Sequence, residues 1–228
     1  MPQLLCIESA TDALSVAVCN EHRVLCTKES AERYAHAASI TVLIEQCTMG
    51  AGVPLADLAA IAVSIGPGSY TSLRVGLSTA KGLAYALKKP LITLDTLAIT
   101  AAGALALANT SNALLFPMID ARRMEVYGAQ YDVQLNQIKP PKAIIMEEHT
   151  LDGLSNSYDQ VILCGNGTPK LRNLYSHPVV YFGPDHNHAR HMHQLALAAW
   201  QEQRFAAVAY TEPFYLKTPN ITTPKKIL

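Results

Sequence analysis

The sequence predicts an α/β fold made of two similar lobes, and three features of its 228 residues carry that expectation. Each half opens with closely spaced strand-like segments, each places a carboxylate at the end of its first strand, and each later runs a strand into Gly-x-Gly. Ile7-Glu8-Ser9-Ala10 matches Ile119-Asp120-Ala121-Arg122 at a shift of 112 (119 less 7), and Gly66-Pro67-Gly68-Ser69 matches Gly165-Asn166-Gly167-Thr168 at 99 (165 less 66). An insertion of 13 residues in the first half reconciles the two shifts; chance likeness between two α/β halves is the alternative. The predicted arrangement is two ribonuclease H-like lobes, residues 1–109 and 110–228, facing across a cleft.

Taken in order, Leu4 to Glu8, Leu14 to Cys19 and Val24 to Lys28 read as strands separated by turn-forming residues. Ala35 to Met49 has helical periodicity, and Leu58 to Ile65 is a buried strand. The loop Gly66-Pro67-Gly68-Ser69-Tyr70 leads into a helix from Thr71 to about Leu87 that Pro90 stops. Leu91 to Leu94 is a short strand, and Asp95 to Ala108 an apolar helix ended by Asn109-Thr110-Ser111-Asn112. In the second half Leu114 to Ile119, Glu125 to Tyr131 and Lys142 to Met146 repeat the meander, a strand ends at Cys164, and a last helix runs from Ala189 to Arg204.

Composition narrows the function. Lysine and arginine balance aspartate and glutamate at 18 each, so the chain lacks the positive field of an autonomous nucleic-acid binder. Half of the residues are hydrophobic and only 16% charged, which is lean cover for a monomer and points to an oligomer. Five scattered cysteines without C-x-x-C read as reduced packing thiols. The N-terminus enters a strand without a basic, cleavable leader, so a cytoplasmic protein is expected, and the apolar stretch from Leu91 to Met118 is too interrupted to span a membrane.

Four groups of residues could carry chemistry. Gly66, Gly68 and Ser69 have the makings of a phosphate cradle at a helix start, or of a tight turn with Ser69 or Thr71 as the helix cap; no Walker A pattern is present. The helix after the loop carries Ser72, Gly76, Ala80 and Ala84 at four-residue steps, a small-residue stripe against which a backbone can come close. Its own sheet covers one side, and the other is covered by the preceding helix or by a second protein. Glu8, Asp12 and Asp120 fall at strand ends beside the cleft, where magnesium-nucleotide sites are built; Arg122 and Arg123 offer Asp120 a structural ion pair instead. His186, His188, His191 and His193 alternate in direction, which favours a solvated histidine surface over a metal site.

The runs Gly66 to Leu77, Pro117 to Tyr127 and Pro213-Phe214-Tyr215-Leu216-Lys217 resemble, in order and over most of the chain, the bacterial TsaB (YeaZ) family of the actin-like ATPase (ASKHA) superfamily. The resemblance implies a non-catalytic subunit in the making of threonylcarbamoyladenosine in transfer RNA. Such a subunit pairs with its catalytic paralogue TsaD, recruits the ATPase TsaE, and meets transfer RNA only through the complex. It has no cofactor of its own, ATP or ADP being expected at the partner interface, and alone it forms a homodimer. The paralogue's H-x-x-x-H metal motif has no counterpart, because the segment after Leu94 reads Asp95-Thr96-Leu97-Ala98-Ile99 and no histidine occurs from Ala37 through Glu148. Family pairing runs through the first two helices, which makes His36, Ile40, Leu43, Leu73, Gly76, Leu77, Ala80 and Leu83 the expected partner-binding residues. Gly76→Leu is then expected to break the pairing and leave the lobes folded. Two departures stand out: Ser72 interrupts the family's Thr-Gly-Leu-Arg, and Glu8-Ser9-Ala10 replaces Asp-Thr-Ser. A rival reading is an ATP-dependent phosphotransferase that uses both glycine turns and Asp120.

Overall fold

The computed structural model describes residues 1–30, 32 and 35–217. Strands β1 (Leu4–Glu8), β2 (Ser15–Cys19) and β3 (Val24–Glu29) form an antiparallel meander. Strands β4 (Ala60–Ser64) and β5 (Leu91–Leu94) add to it in parallel, giving the order β3-β2-β1-β4-β5. β1, β2 and β4 are buried along their whole length, which is why they read as unbroken apolar runs rather than as alternation. Helices α1 (His36–Ala51) and α2 (Tyr70–Leu87) cover one face of this sheet. Gly52 ends α1 in the left-handed region, at φ 66°, with its N–H on the carbonyls of Met49 and Thr48.

The second sheet repeats the plan. Strands β6 (Ala113–Asp120), β7 (Glu125–Tyr131) and β8 (Gln137–Ile145) form a meander, and β9 (Gln160–Cys164) and β10 (Val180–Phe182) follow in parallel. The order is β10-β9-β6-β7-β8, so each sheet has its first strand in the middle, ending at Glu8 in one and Asp120 in the other. The fold is two tandem ribonuclease H-like lobes of the actin-like ATPase type. β8 begins five residues before its predicted start because Pro140 and Pro141, which read as strand breakers, lie on a sheet edge where a missing N–H costs little.

Helix α3 (Thr96–Ala104) is apolar on all sides because both sheets bury it. Ile99 packs with Leu4, Cys6 and Ile92, whereas Leu97, Ala101 and Ala104 pack with Leu115, Ile119 and Ala129. The predicted helix to Ala108 stops at Ala104 and gives way to a 3₁₀ turn, Leu105–Leu107. Helix α4 (Asp152–Ser155) lies over the far face of the second sheet, where Leu154 joins its core. The last helix, α5 (His193–Gln201), follows a 3₁₀ turn at Ala189–Met192, and its residues Ala196 and Ala199 join Met192 against Cys6, Ala62 and Ile92. That packing corrects the predicted lobe of 110–228: the chain crosses back, and α5 completes the first lobe. Ala206 then pairs with Leu91, and the Phe214 N–H donates to the Ile65 carbonyl at 2.7 Å. Beyond Lys217 the remainder of that predicted lobe lies outside the described residues.

Candidate functional site

The helices α1 and α2 put most of the expected partner-binding residues inside the molecule. His36, Ile40, Leu43, Leu73, Gly76, Leu77 and Ala80 are buried, and half-buried Leu83 packs on the same core. The stripe Ser72, Gly76, Ala80 and Ala84 faces inward, where its smallness lets α2 sit close to the sheet. A Cβ at Gly76 would stand 2.0 Å from the Ser9 Oγ and 2.9 Å from the Ser9 Cβ. Side chains half a turn away face outward: Val42 and Met49 on α1, and Ser78, Gly82, Tyr85 and Ala86 on α2. Met49 is 75% exposed and Tyr85 81%. Nothing lies within 4 Å of the place a Gly82 Cβ would take. A helix-interior glycine costs about 1 kcal/mol relative to alanine, so Gly82 needs a reason that the chain's own packing does not supply. Sequence reasoning passed over this second small stripe, Ser78, Gly82 and Ala86, because two four-residue repeats on one helix cannot be ranked without knowing which one meets the sheet.

The cleft between the lobes encloses about 880 Å³ and is lined by both lobes and by the chain's tail, Tyr215 and Lys217 included. Its glycine loop spends its close approaches on the chain itself. Gly66, at φ +123°, would bring a Cβ to 2.2 Å from the Phe214 carbonyl oxygen, and Gly68 to 2.3 Å from that of Ala10. The Ser69 N–H donates to the Ala10 carbonyl at 2.7 Å, and the Ser69 Oγ accepts from the Ser72 N–H as the α2 cap. Of the two readings of this loop, the turn and cap is the one built. Asp120 pairs with the ammonium of Lys170 and accepts the Arg122 backbone N–H at 3.1 Å. The expected ion pair with Arg122 or Arg123 is therefore corrected: their backbones turn through the left-handed region, at φ 72° and 49°, and the pairing cation is Lys170, carried by the 3₁₀ turn Pro169–Leu171. The tail closes the arrangement, with Tyr215 against Tyr70 at 4.8 Å between ring centres and Lys217 on Glu125 at 2.5 Å.

Glu8 does not reach the cleft. It is fully buried, its Oε1 accepts from the Ala10 N–H at 2.8 Å and the Ser64 hydroxyl at 3.1 Å, and its Oε2 has no hydrogen-bond partner. Burial outweighs those bonds and the nearby Asn187 carboxamide, pushing its pKa up to about 7. Of the three carboxylates expected to build a magnesium-nucleotide site, Glu8 is sealed in and Asp120 is paired with Lys170, while Asp12 does line the cleft; Asp185, also in its lining, is held by Arg172 at 2.8 Å. The histidine surface holds for His186, which is exposed at the cleft, and is corrected for the other three. His188 and His193 are buried, and His193 Nε2 sits 2.7 Å from the Asn20 carbonyl oxygen. His191 lies where a Cβ on Gly103 would strike its ring. Burial, with Arg190 adding to it, pulls His188 and His191 down to about 4. Among the described residues no three histidine, cysteine or acidic side chains converge as metal ligands, and no helix is long and apolar enough to cross a membrane.

The family model described as TsaD, tRNA N6-adenosine threonylcarbamoyltransferase, matches residues 29–224. The tRNA threonylcarbamoyladenosine biosynthesis protein TsaB of Escherichia coli K12 is 29% identical over 226 residues, 94% of each chain. The TsaB protein of Haemophilus influenzae is 35% identical over 127 residues, covering 56% of this chain and 52% of that one. Among solved structures, YeaZ from Pseudomonas aeruginosa superposes with a TM-score of 0.80 at 27% identity, over 95% of this chain and all of that one. A second Pseudomonas aeruginosa structure, of a protein described as similar to the peptidase YeaZ, gives 0.83 at the same identity and coverage. With the two-lobed fold matched end to end and the family model spanning most of its length, the chain belongs to the TsaB (YeaZ) branch of the TsaD family.

Proposed function

We propose that the chain is a non-catalytic subunit in the formation of threonylcarbamoyladenosine in transfer RNA. It pairs through the outer face of α1 and α2 with a catalytic subunit of the TsaD type, and the pair engages an ATPase of the TsaE type, with ATP or ADP held at the partner interface. The names of the full-length relatives support the pathway. The observation that carries the pairing is the outer face itself: Val42, Met49 and Tyr85 exposed around Gly82, whose missing side chain leaves room for another backbone. The same face serves a homodimer when the chain is alone. The paired Asp120, the sealed Glu8 and the self-occupied glycine loop support the absence of catalytic chemistry.

Gly82→Arg tests this directly. The variant is expected to melt no lower than the parent, since it sits on an open surface and arginine is the better helix former, yet to lose co-elution with the TsaD-type subunit and the modified adenosine that the reconstituted system makes. Undiminished co-elution would sink the pairing. The phosphotransferase reading has the 880 Å³ cleft in its favour. It predicts ATP turnover by the purified chain that disappears in Asp120→Asn, whereas the subunit reading predicts none in either form.

A further inference from the structure

We propose that the far face of the second sheet, away from α3, holds a binding site for a small anionic molecule with a flat, hydrogen-bonding body, the chemistry of a nucleoside monophosphate. A cavity of about 440 Å³ opens there beneath the segment that carries α4, within the range of small-molecule sites. Its apolar wall is Phe116, Ile144, Leu154 and Tyr158. Gly128 lets two of these side chains settle on the sheet, since a Cβ there would stand 2.8 Å from the Phe116 ring and 3.3 Å from Ile144.

Three polar features converge on this apolar space. Gln130 is 8% exposed, yet its Oε1 has no hydrogen-bond partner. A buried amide left unpaired keeps the cost of losing its water, and on a face otherwise built of Val126, Phe116 and Met118 a leucine would avoid that cost. Lys139 and Lys142 also line the cavity. Residues three apart in a regular strand point to opposite faces, but the pairing slips here: Lys142 stands opposite Gly128 and Lys139 opposite Gln130, with a register shift between them. The irregularity lets both lysines line the same cavity, and no carboxylate is among its lining residues. Two cations select an anion, the aromatic and aliphatic wall accepts a flat ring, and the Gln130 carboxamide can exchange a donor and an acceptor with a base edge.

The test is calorimetric titration of the purified chain with AMP and CMP, beside adenosine and inorganic phosphate. Mononucleotide binding is expected to weaken at least about tenfold both in Lys139→Ala/Lys142→Ala and in Gln130→Leu, while Asp120→Asn in the interlobe cleft leaves it unchanged. Adenosine and phosphate, each lacking half of the recognised chemistry, are expected to bind weakly. The lysines lie on an exposed edge strand and Gln130→Leu removes an unpaired polar atom, so both variants should melt no lower than the parent. Binding that survives the pocket substitutions, phosphate or adenosine that binds as tightly as the nucleotide, or no mononucleotide binding at all would overturn the proposal.

Discussion

Gly76→Leu is expected to destroy the fold of the first lobe rather than only its pairing. A Cβ at this position already falls 2.0 Å from the Ser9 Oγ and 2.9 Å from its Cβ, and Val63 stands behind it at 3.8 Å. Ser9 is itself fully buried at the end of β1, so neither partner can retreat without moving the helix off the sheet. Overpacking of this kind costs about 1–3 kcal/mol per misfit, and a leucine on a glycine pressed to the sheet should exceed the upper figure. Gly82→Ala, six residues on, should act in the opposite direction. With open space at its Cβ, the isolated chain is expected to gain roughly 0.5–1 kcal/mol from improved helix propensity. Urea unfolding of the two variants, followed by far-ultraviolet dichroism, reads both signs; a Gly76→Leu protein with the parent's midpoint would mean that α2 is not packed as described.

The second large effect is a pH dependence made of opposing parts. Glu8 titrates near 7 in the folded chain, above its ordinary 4.5, so the native state favours the protonated acid. Its burial costs nothing below pH 4.5 and roughly 3 kcal/mol once the pH has risen through 7. His188 and His191 titrate near 4, below the ordinary 6.5, so the native state favours the neutral rings. They cost nothing above pH 6.5 and progressively more as the pH falls towards 4. Glu29, 3.6 Å from the His188 Nε2, recovers part of that cost, but burial still dominates. Acidification from 7 to 4.5 therefore gains stability at Glu8 and loses it at the two histidines, leaving a shallow profile in the parent. Glu8→Gln should raise stability at pH 8 by about 1–3 kcal/mol and steepen the acid loss, because the gain that Glu8 makes on acidification is then gone. His188→Gln/His191→Gln should reverse the slope, the protein becoming more stable towards pH 5. Thermal melts across pH 4.5 to 8 give the three slopes, and parallel profiles would refute the assignment.

The architecture could be read from residues because its signals are local. Unbroken apolar runs such as Leu4 to Glu8 and Ala60 to Ser64 announce strands buried on both faces, and Gly52, Ser69 and Asp95 mark helix ends through their own backbone or side-chain chemistry. The repeated carboxylate and glycine turn foretold two sheets of one topology, and β1 and β6 do end at Glu8 and Asp120. The candidate site was less legible. The sequence marked α1 and α2 but not which of their faces looks outward, so seven residues chosen as contact points are core. It marked the ion pairing of Asp120 but named the neighbouring arginines, whereas Lys170 comes from 50 residues away.

By itself, then, the order of residues determined strands, helices, caps and the duplicated plan, since each depends on neighbours a few positions apart. Only the tertiary structure decided that α5 crosses back to the first lobe, that the glycine loop receives Ala10 and Phe214, and that Gly76 faces in while Gly82 faces out. Those outcomes depend on which surfaces meet, and periodicity along one helix is the same whichever side the sheet approaches.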